Sequence, residues 1–367
     1  MIKYIGSKRR IVPGIVATVA GVGAVRTVLD PFSGTTRVAQ GLKAAGFRVH
    51  ASDLATYSEV LGTCYVETDR DAVDPAAIER LLRALQATPA REGYFTETFC
   101  RRSRYFHPRN GARIDAIREE IDRLDLDRTR RSIALTSLLE AADRVDSTTG
   151  LQMAFLKSWA PRALSDLQLR PPRLLSGSGR ISRCDANRLV RDLATVDLAY
   201  LDPPYNQHSF FRNYHVWETL VRNDAPEVYG IACKRLDCRE RRSPYNSRTG
   251  FGAALRDLLA NVKATYLLLS CNSEGYLDPA AAPGLLERWG AVGLLEIDAK
   301  RYVGAQIGIH NPRGEKVGRV THLRNREYLF LAGPDPEAIE RGLRAGAEAL
   351  GPAALGWRKG TAFSPKP

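Results

Sequence analysis

Residues 196–205 read VDLAYLDPPY, an apolar run that meets an acid, two prolines and a tyrosine without a spacer. The apolar half predicts a buried β-strand, because short apolar runs bounded by turn residues are typical of strands. Proline cannot continue a strand ladder and aspartate favours turns, so the strand should end at Asp202. Such an ending is either an ordinary strand end or the edge of an active site.

A strand with the same kind of ending lies near the N-terminus. Residues 25–29 are β-like and run into DPFSGTT at 30–36, after which 37–45 has helical spacing. Gly46 ends that helix, and the following strand closes at Asp53. The pattern predicts a β-α-β unit, whose connection should be right-handed.

Residues 61–175 are strand-poor and carry apolar residues at helical spacing, which predicts a helical insertion. Helices are expected from Pro75, across 114–124 and across 132–142. Strand-like runs return at 180–184, 196–201, 264–270, 291–297 and 327–332. The last two have no helix between them and suit an antiparallel pair at one edge.

The order of these elements predicts the fold class. Alternating strands and helices are typical of an α/β domain, here with a Rossmann-like, mostly parallel sheet and an antiparallel edge strand. We expect a catalytic domain from residues 1–60 and 176–335, a helical insertion from 61–175, and a C-terminal helix and tail from 336–367.

The charge balance indicates a polyanionic partner. The 367 residues include 54 Lys plus Arg and 41 Asp plus Glu, a formal net charge of +13. Nucleic acid is the leading candidate, and a solvated basic surface is the alternative. The six scattered cysteines predict free thiols in a reducing cytoplasm and no metal site. Pro13 interrupts the apolar N-terminal run, which argues against a signal peptide, and no membrane association is expected.

Four acids follow predicted strands: Asp30, Asp53, Asp185 and Asp202. Ligands of an open α/β sheet bind beyond the carboxyl ends of its strands, so these side chains should line one edge. Asp53 follows Gly34 by 53 − 34 = 19 positions, the separation at which an acid binds the hydroxyls of a nucleotide ribose. A cofactor containing a nucleoside is therefore predicted.

The turn at 30–36 narrows the choice of cofactor. Its single glycine matches neither the G-x-G-x-x-G of a dinucleotide site nor a phosphate-binding P-loop. S-adenosylmethionine carries no phosphate, so a poor phosphate cradle is no handicap for it. On its own the turn is equally compatible with a structural role, and so is Asp30.

The residues from Asp202 to Tyr205 offer what methylation of an aromatic amine requires. The lone pair of such an amine is delocalised into the ring, so attack on a sulfonium methyl needs acceptors that draw the nitrogen towards tetrahedral geometry. The Asp202 carboxylate and the Pro203 carbonyl are two acceptors, and Pro204 rigidifies the turn. Tyr205 can stack on a base flipped out of a duplex.

Together the motifs resemble the α-group, Dam-like adenine-N6 DNA methyltransferases. KYIGSK at 3–8, DPFSGTTRV at 30–38 and DPPY at 202–205 look like that family's leading cofactor motif, methionine-side motif and catalytic motif, in its order. The resemblance covers residues 1–335. It implies a site-specific enzyme that moves a methyl group from S-adenosylmethionine to the amine of a flipped-out adenine in duplex DNA. The insertion at 61–175 would recognise the target, and a prokaryotic or phage-encoded cytoplasmic protein is expected.

Carried over by position, the resemblance assigns roles to single residues. The implied catalytic residues are Asp202, Pro203, Pro204 and Tyr205. The implied cofactor residues are Tyr4, Gly6, Lys8, Asp30, Phe32, Gly34, Thr35, Asp53, Leu54, Asp185 and Ala186. Within this set the turn would face the methionine part, Asp53 the ribose, and Asp185 the adenine. Thr35 departs from the family, which commonly has a second small residue there.

Three basic stretches, at 100–113, 234–242 and 310–326, are candidates for DNA phosphate contacts or for solvated loops. The residues expected to bind DNA are Arg101, Arg102, Arg104, Tyr105, Arg109, Arg313, Lys316 and Arg319. Phe210, Phe211 and Tyr214 are candidates to cover the flipped base or to belong to a helix core, and Trp217 is expected in the core.

Other functions stay open at this point. The same acceptors would serve a cytosine-N4 or an RNA amine methyltransferase. A non-catalytic DNA-binding protein on a methylase scaffold would be expected to have lost DPPY or Asp53. A nicotinamide oxidoreductase would leave DPPY and the basic stretches unexplained. Double-stranded DNA is the expected partner and a cognate restriction endonuclease a candidate second one; the sequence discloses neither the recognition site nor the oligomeric state.

Overall fold

The computed structural model describes residues 2–148, 150–300 and 324–360. The chain divides into two compact units, which we call the sheet unit and the helical unit. The sheet unit comprises Gly6–Leu54, Ser182–His208 and Ser243–Pro367, and the helical unit comprises Met1–Ile5, Ala55–Ile181 and Ser209–Arg242. Residues 209–242 therefore belong with the helices, and the C-terminal segment belongs with the sheet, unlike in the division drawn from sequence.

The described strands include an eight-stranded sheet in the order β10-β8-β9-β7-β4-β1-β2-β3 and a two-stranded sheet of β5 and β6. Their bounds are β1 Thr27–Asp30, β2 Arg48–Asp53, β3 Arg180–Arg183, β4 Val196–Leu201, β5 Val228–Tyr229, β6 Lys234–Arg235, β7 Ala264–Asn272, β8 Ala291–Lys300, β9 Arg324–Gly333 and β10 Ala354–Lys359. β1 pairs in parallel with β2 and β4, and β4 pairs in parallel with β7. β9 is antiparallel to β7 and β8, and β10 is antiparallel to β8. The predicted Rossmann-like α/β sheet with an antiparallel side is confirmed, and β10 is an additional strand.

Helices of the sheet unit cover both faces of this sheet. They are α1 Val12–Val22, α2 Arg37–Ala44, α8 Ala186–Asp192, α11 Arg248–Asn261, α12 Ala282–Leu286 and α13 Pro336–Leu350. α8, α11 and α12 share a core with alternate strand residues, among them Leu201, Leu267 and Leu269. α1 was not predicted. Pro13, which interrupts the apolar run, lies in its first turn, where a missing N–H costs nothing.

The helical unit has its own apolar core. Its helices are α3 Thr56–Gly62, α4 Pro75–Ala87, α5 Tyr94–Thr96, α6 Pro108–Arg123, α7 Arg128–Arg144, α9 Phe210–Asn213 and α10 His215–Arg222. The three helices expected from apolar spacing are present as α4, α6 and α7. Each of these begins after a capping residue whose side chain accepts a backbone N–H of the first helical turn; the capping residues are Asp74, His107 and Asp127. Within the described residues, every helix is too short or too polar to cross a membrane.

Candidate active site

The parallel strands bring three of the predicted acids to one edge of the sheet. β1 ends at Asp30 and β2 at Asp53, and β4 is followed directly by Asp202. The register pairs Asp30 with Ala51 of β2 and Leu29 with Ala199 of β4, so the three strand ends are neighbours. The fold thus assembles residues that are up to 172 positions apart (202 − 30) at one place.

A buried lysine lies between two carboxylates at this edge. Lys8 is 6% exposed, and its Nζ lies 3.1 Å from Oδ1 of Asp202 and 3.0 Å from Oε2 of Glu327. The same Nζ lies 5.4 Å from the centre of the Tyr205 ring. The resemblance assigned Lys8 to cofactor binding, whereas in the structure its ammonium forms an ion pair with Asp202, the proposed catalytic carboxylate. One ammonium shared by two carboxylates leaves the group with a net charge of about −1 when all three are ionised.

Burial raises the pKa of Asp202 to about 6, with Glu327 adding to the effect and the Lys8 ammonium opposing it. The carboxylate is therefore an anion, and a strong hydrogen-bond acceptor, above about pH 6. Burial alone would lower the pKa of Lys8, but Asp202 and Glu327 hold that pKa well above its ordinary value. Lys8 consequently stays charged throughout the physiological range.

Asp30 adds a further acid to the same edge. Its side chain is 1% exposed, and its Oδ1 atom has no hydrogen-bond partner among the described residues. Burial, and then the charge of Asp202, raise the pKa of Asp30 well above its ordinary value. A buried acid with an unpartnered oxygen argues for a function, because burying a polar atom without a hydrogen bond is destabilising. The edge as a whole is electronegative in a chain of net charge +13.

The turn after β1 is hydrogen-bonded to the end of β2. Ser33 donates through both its N–H and its Oγ to the carbonyl of Ser52, at 2.9 and 3.0 Å. The N–H of Gly34 donates to Oδ2 of Asp53 at 3.0 Å. Gly34 has φ +50° and Thr36 has φ +60°, a region that is unfavourable for threonine. Strained backbone of this kind is concentrated at functional sites.

The other predicted cofactor residues differ in exposure. Leu54, next to Asp53, is 56% exposed, which is unusual for leucine and suits an apolar ligand surface. Phe32 is half-buried and meets the Tyr245 ring edge-on at 5.2 Å. Asp185 caps α8 by accepting the N–H of Arg188 at 3.1 Å. Further residues of the set, Thr35 and Ala186, have buried side chains, so a contact from them would come through the backbone.

The segment after Asp202 is held by residues that carry no motif. Tyr205 accepts through its carbonyl from the N–H of Tyr276 at 2.8 Å. The amide of Asn246 donates to the carbonyls of Asn206 and His208 at 2.9 and 3.1 Å. Sequence reasoning missed these supports because they lie 38 to 71 positions from their partners. Glu327 was missed as well, although a single acid at the start of the apolar run EYLFLA is a detectable signal.

Tyr4 belongs to the helical unit, whereas Gly6 and Lys8 of the same motif belong to the sheet unit. The Tyr4 ring stacks on Phe210 and on Tyr214, with ring centres 5.1 and 4.4 Å apart. Tyr214 is fully buried, so it serves the core and does not cover a base. Trp217 is also buried, which confirms its predicted core position. A cofactor contact by Tyr4 stays a prediction.

One expected DNA-binding residue was assigned wrongly. Tyr105 is completely buried, and its hydroxyl donates to the carbonyl of Gln152 at 2.8 Å. Its ring meets Phe155 edge-on at 5.4 Å, inside the core of the helical unit. An aromatic ring among arginines can be buried whenever the backbone turns it inwards, and the arginine pattern does not report that direction.

The arginines of the same stretch lie near the surface. Arg101 pairs with Glu92 at 2.7 Å, Arg109 pairs with Asp166 at 3.1 Å, and Arg104 stacks over Trp159 at 4.6 Å. Arg102 is exposed. In the second basic stretch, Arg235 is buried between Asp224 and Asp237 and is a structural residue. Arg313, Lys316 and Arg319 lie outside the described residues.

The chain belongs to the family of D12 class N6 adenine-specific DNA methyltransferases, whose model matches residues 4–272. It is 28% identical over 340 residues to the type II methyltransferase M.NlaIII of Neisseria lactamica, covering 89% of this chain and 99% of that one. It is 29% identical over 312 residues to the modification methylase StsI of Streptococcus sanguinis, covering 80% of this chain and 47% of that one. The chain thus spans nearly all of one relative and about half of the other.

These comparisons confirm the resemblance to adenine-N6 DNA methyltransferases. A third relative, the type II methyltransferase M.FokI of Planomicrobium okeanokoites, is 28% identical over 295 residues, covering 75% of this chain and 45% of that one. The family description specifies N6 of adenine in DNA, which favours adenine over cytosine N4 and DNA over RNA. The nicotinamide oxidoreductase alternative is excluded by the family.

Proposed function

We propose that this chain transfers a methyl group from S-adenosylmethionine to N6 of an adenine flipped out of duplex DNA at a specific sequence. The observation that carries the proposal is the buried, ion-paired carboxylate of Asp202 at the end of β4, followed by Pro203, Pro204 and Tyr205. The family to which the chain belongs supports adenine as the target base and DNA as the substrate polymer.

The cofactor side of the edge fits S-adenosylmethionine. When bound, this cofactor supplies a methyl group on a positively charged sulfonium. The two carboxylates of Asp202 and Glu327 outnumber the single ammonium of Lys8 at the edge, so the site complements a cation. Asp53 would hold the ribose, the exposed side chain of Leu54 offers an apolar face for a nucleoside, and the strained turn at 33–36 would hold the amino-acid part.

On the amine side, Asp202 and its turn would hold and orient the reacting nitrogen. The Lys8 ammonium lies beside Oδ1 as an ion pair, and Oδ1 is buried without a hydrogen-bond partner among the described residues, although the Asp202 side chain is 17% exposed. Oδ2 would therefore be the oxygen that accepts an N–H of the target amine. The Pro203 carbonyl would be the second acceptor, and Pro204 rigidifies the turn that presents it. The amine gives up one proton in the reaction, and a carboxylate with a pKa of about 6 can hold that proton at Oδ2. Tyr205 would stack on the base.

Target recognition is assigned to the helical unit in this proposal. The exposed arginines Arg101, Arg102 and Arg109 supply the charge needed for phosphate contacts. The relatives are named as modification or type II methyltransferases, which supports a cognate restriction endonuclease as the cellular counterpart.

The test is labelling of duplex DNA with S-adenosylmethionine that carries a tritiated methyl group. Digestion to nucleosides should place the label in N6-methyladenine, and sequencing that detects methylated bases should return one short motif. Label in N4-methylcytosine, in RNA alone or in no nucleic acid would contradict the proposal.

Replacement of Asp53 by alanine should raise the Kd for S-adenosylmethionine by roughly 10- to 100-fold, the worth of hydrogen bonds to a charged group. The substitution removes the carboxylate that would bind the ribose. It also removes the acceptor of the Gly34 N–H, a hydrogen bond that holds the turn. Calorimetry measures this affinity directly, and the affinity for duplex DNA should stay within about threefold of wild type.

Asp197 offers a matched control at the opposite end of the sheet. Its Oδ2 accepts the N–H groups of Arg26 and Thr27, both at 2.8 Å, so Asp197→Ala removes a comparable backbone anchor. This control should destabilise the fold slightly and leave cofactor affinity unchanged. If Asp53→Ala bound the cofactor as tightly as Asp197→Ala does, Asp53 would not be the ribose ligand.

A further inference from the structure

The acid that shares Lys8 with Asp202 lies outside every motif and beyond residues 4–272 of the family match. Glu327 is near the start of β9, paired in register with Asn272 of β7. Its side chain is 14% exposed, and its Oε2 lies 3.0 Å from Nζ of Lys8. A second carboxylate beside Asp202 raises the cost of keeping Asp202 ionised, so stability alone does not account for it.

The chemistry of an ammonium suggests what Glu327 contributes. Lys8 has three N–H donors on a flexible stem and no planar geometry that would fix its approach to a carboxylate. With Asp202 as its sole partner, such a group would be free to bridge both carboxylate oxygens. It would then compete with the target amine for the acceptor that the reaction requires. Glu327 binds Nζ from β9, which fixes the ammonium from a second direction.

We propose that Glu327 is a positioning residue for methyl transfer, which holds the Lys8 ammonium against Oδ1 of Asp202 and so leaves Oδ2 for the target amine. The proposal rests on the proposed function, since it concerns the same amine site. It assigns to β9 a part in the reaction, although β9 carries no methyltransferase motif.

The other groups around Asp202 would not replace Glu327. The titratable groups that shift the pKa of Asp202 are Lys8 and Glu327, and the Asp202 charge in turn acts on Asp30, Tyr200, Tyr205 and Cys271. Lys8 is the cation of this set, and Asp30 is the remaining carboxylic acid. Without Glu327, the ammonium would pair with Asp202 alone, and the pKa of Asp202 would fall below about 6 because a like charge is lost.

The test is Glu327→Gln, which keeps the size of the side chain and removes its charge. We expect kcat at pH 8 to fall about 10- to 100-fold, the worth of one hydrogen bond between charged groups. The Kd values for S-adenosylmethionine and duplex DNA should stay within about threefold. The acidic limb of the kcat profile should move to lower pH. A wild-type kcat, or an acidic limb that does not move, would overturn the proposal.

Glu296→Gln is the matched control. Glu296 lies on β8, is largely buried, and pairs with Arg358 at 2.6 Å, so the substitution removes a comparable ion pair of the same sheet. Its kcat and pH profile should match the wild type. A purely structural effect of losing a strand carboxylate would appear in both variants, whereas a positioning effect appears in Glu327→Gln alone.

A double-variant cycle with Lys8→Met tests the route of the effect. If Glu327 acts through Lys8, Glu327→Gln should change kcat by less than about twofold when Lys8 is already replaced. An equal loss of kcat in both backgrounds would overturn the proposal.

If Glu327→Gln does not fold, Glu327→Asp is the second variant, because it keeps the charge on a shorter side chain. Its kcat should still fall, and a wild-type kcat in Glu327→Asp would contradict the positioning role. Labelling of adenine by the wild type decides the proposed function separately.

Discussion

Asp202→Ala is expected to lower kcat by about 10³-fold or more while duplex DNA and S-adenosylmethionine bind within about threefold of wild type. The variant loses the charged acceptor that draws the amine towards tetrahedral geometry. The fold should survive, because Lys8 keeps Glu327 as a partner at 3.0 Å and no buried charge is left alone. Single-turnover methylation and a separate DNA-binding titration measure the two quantities.

The controls for this variant separate charge from shape. Asp202→Asn keeps an oxygen acceptor without the charge, so its kcat should lie between the kcat values of the wild type and of Asp202→Ala. Asp257→Ala removes a partly exposed aspartate paired with Arg191 and should leave kcat unchanged. A kcat above one tenth of wild type in Asp202→Ala would show that the amine is held elsewhere. In the wild type, kcat should fall as pH drops through about 6, because the active form of Asp202 is the anion.

Lys8→Met should have the second large effect, on both stability and activity. It leaves Asp202 and Glu327 buried beside each other without a counter-ion, which typically costs about 3–5 kcal/mol of unfolding free energy. The pKa of Asp202 should rise above about 6, since Lys8 is the group that lowers it. The acidic limb of kcat should therefore move to higher pH, opposite to its movement in Glu327→Gln.

The stability of Lys8→Met should recover as pH falls. A carboxyl group whose folded-state pKa lies above its unfolded value penalises the folded state at high pH, and protonation relieves the penalty. Denaturation at pH 8 and at pH 5.5 should show a smaller loss, relative to wild type, at the lower pH. Lys263→Met is the control, because Lys263 is exposed and donates to the carbonyls of Arg191 and Leu193. If the acidic limb of the kcat profile did not move in Lys8→Met, Lys8 would not affect the pKa of Asp202, and the ion pair between them would be contradicted.

Much of the fold could be predicted because its signals are local. Apolar runs that end in DPFSGTT and DPPY report both a strand and its carboxyl end, and helical spacing reports α4, α6 and α7. Two signals were local but ambiguous. The apolar stretch with Pro13 formed a helix, and the aromatic Tyr105 turned inwards although arginines surround it in sequence.

The sequence by itself determined the order of motifs and the acids at the ends of β1, β2 and β4, and through them it favoured amine methylation, because each depends on residues adjacent along the chain. Only the tertiary structure decided which groups meet. Glu327 reaches the Asp202 site because β9 pairs with β7, and β7 pairs with β4, an order no local pattern encodes. The partner of a buried charge is set by strand order and register, so Lys8 could be recognised from its motif but its two carboxylates could not be paired with it.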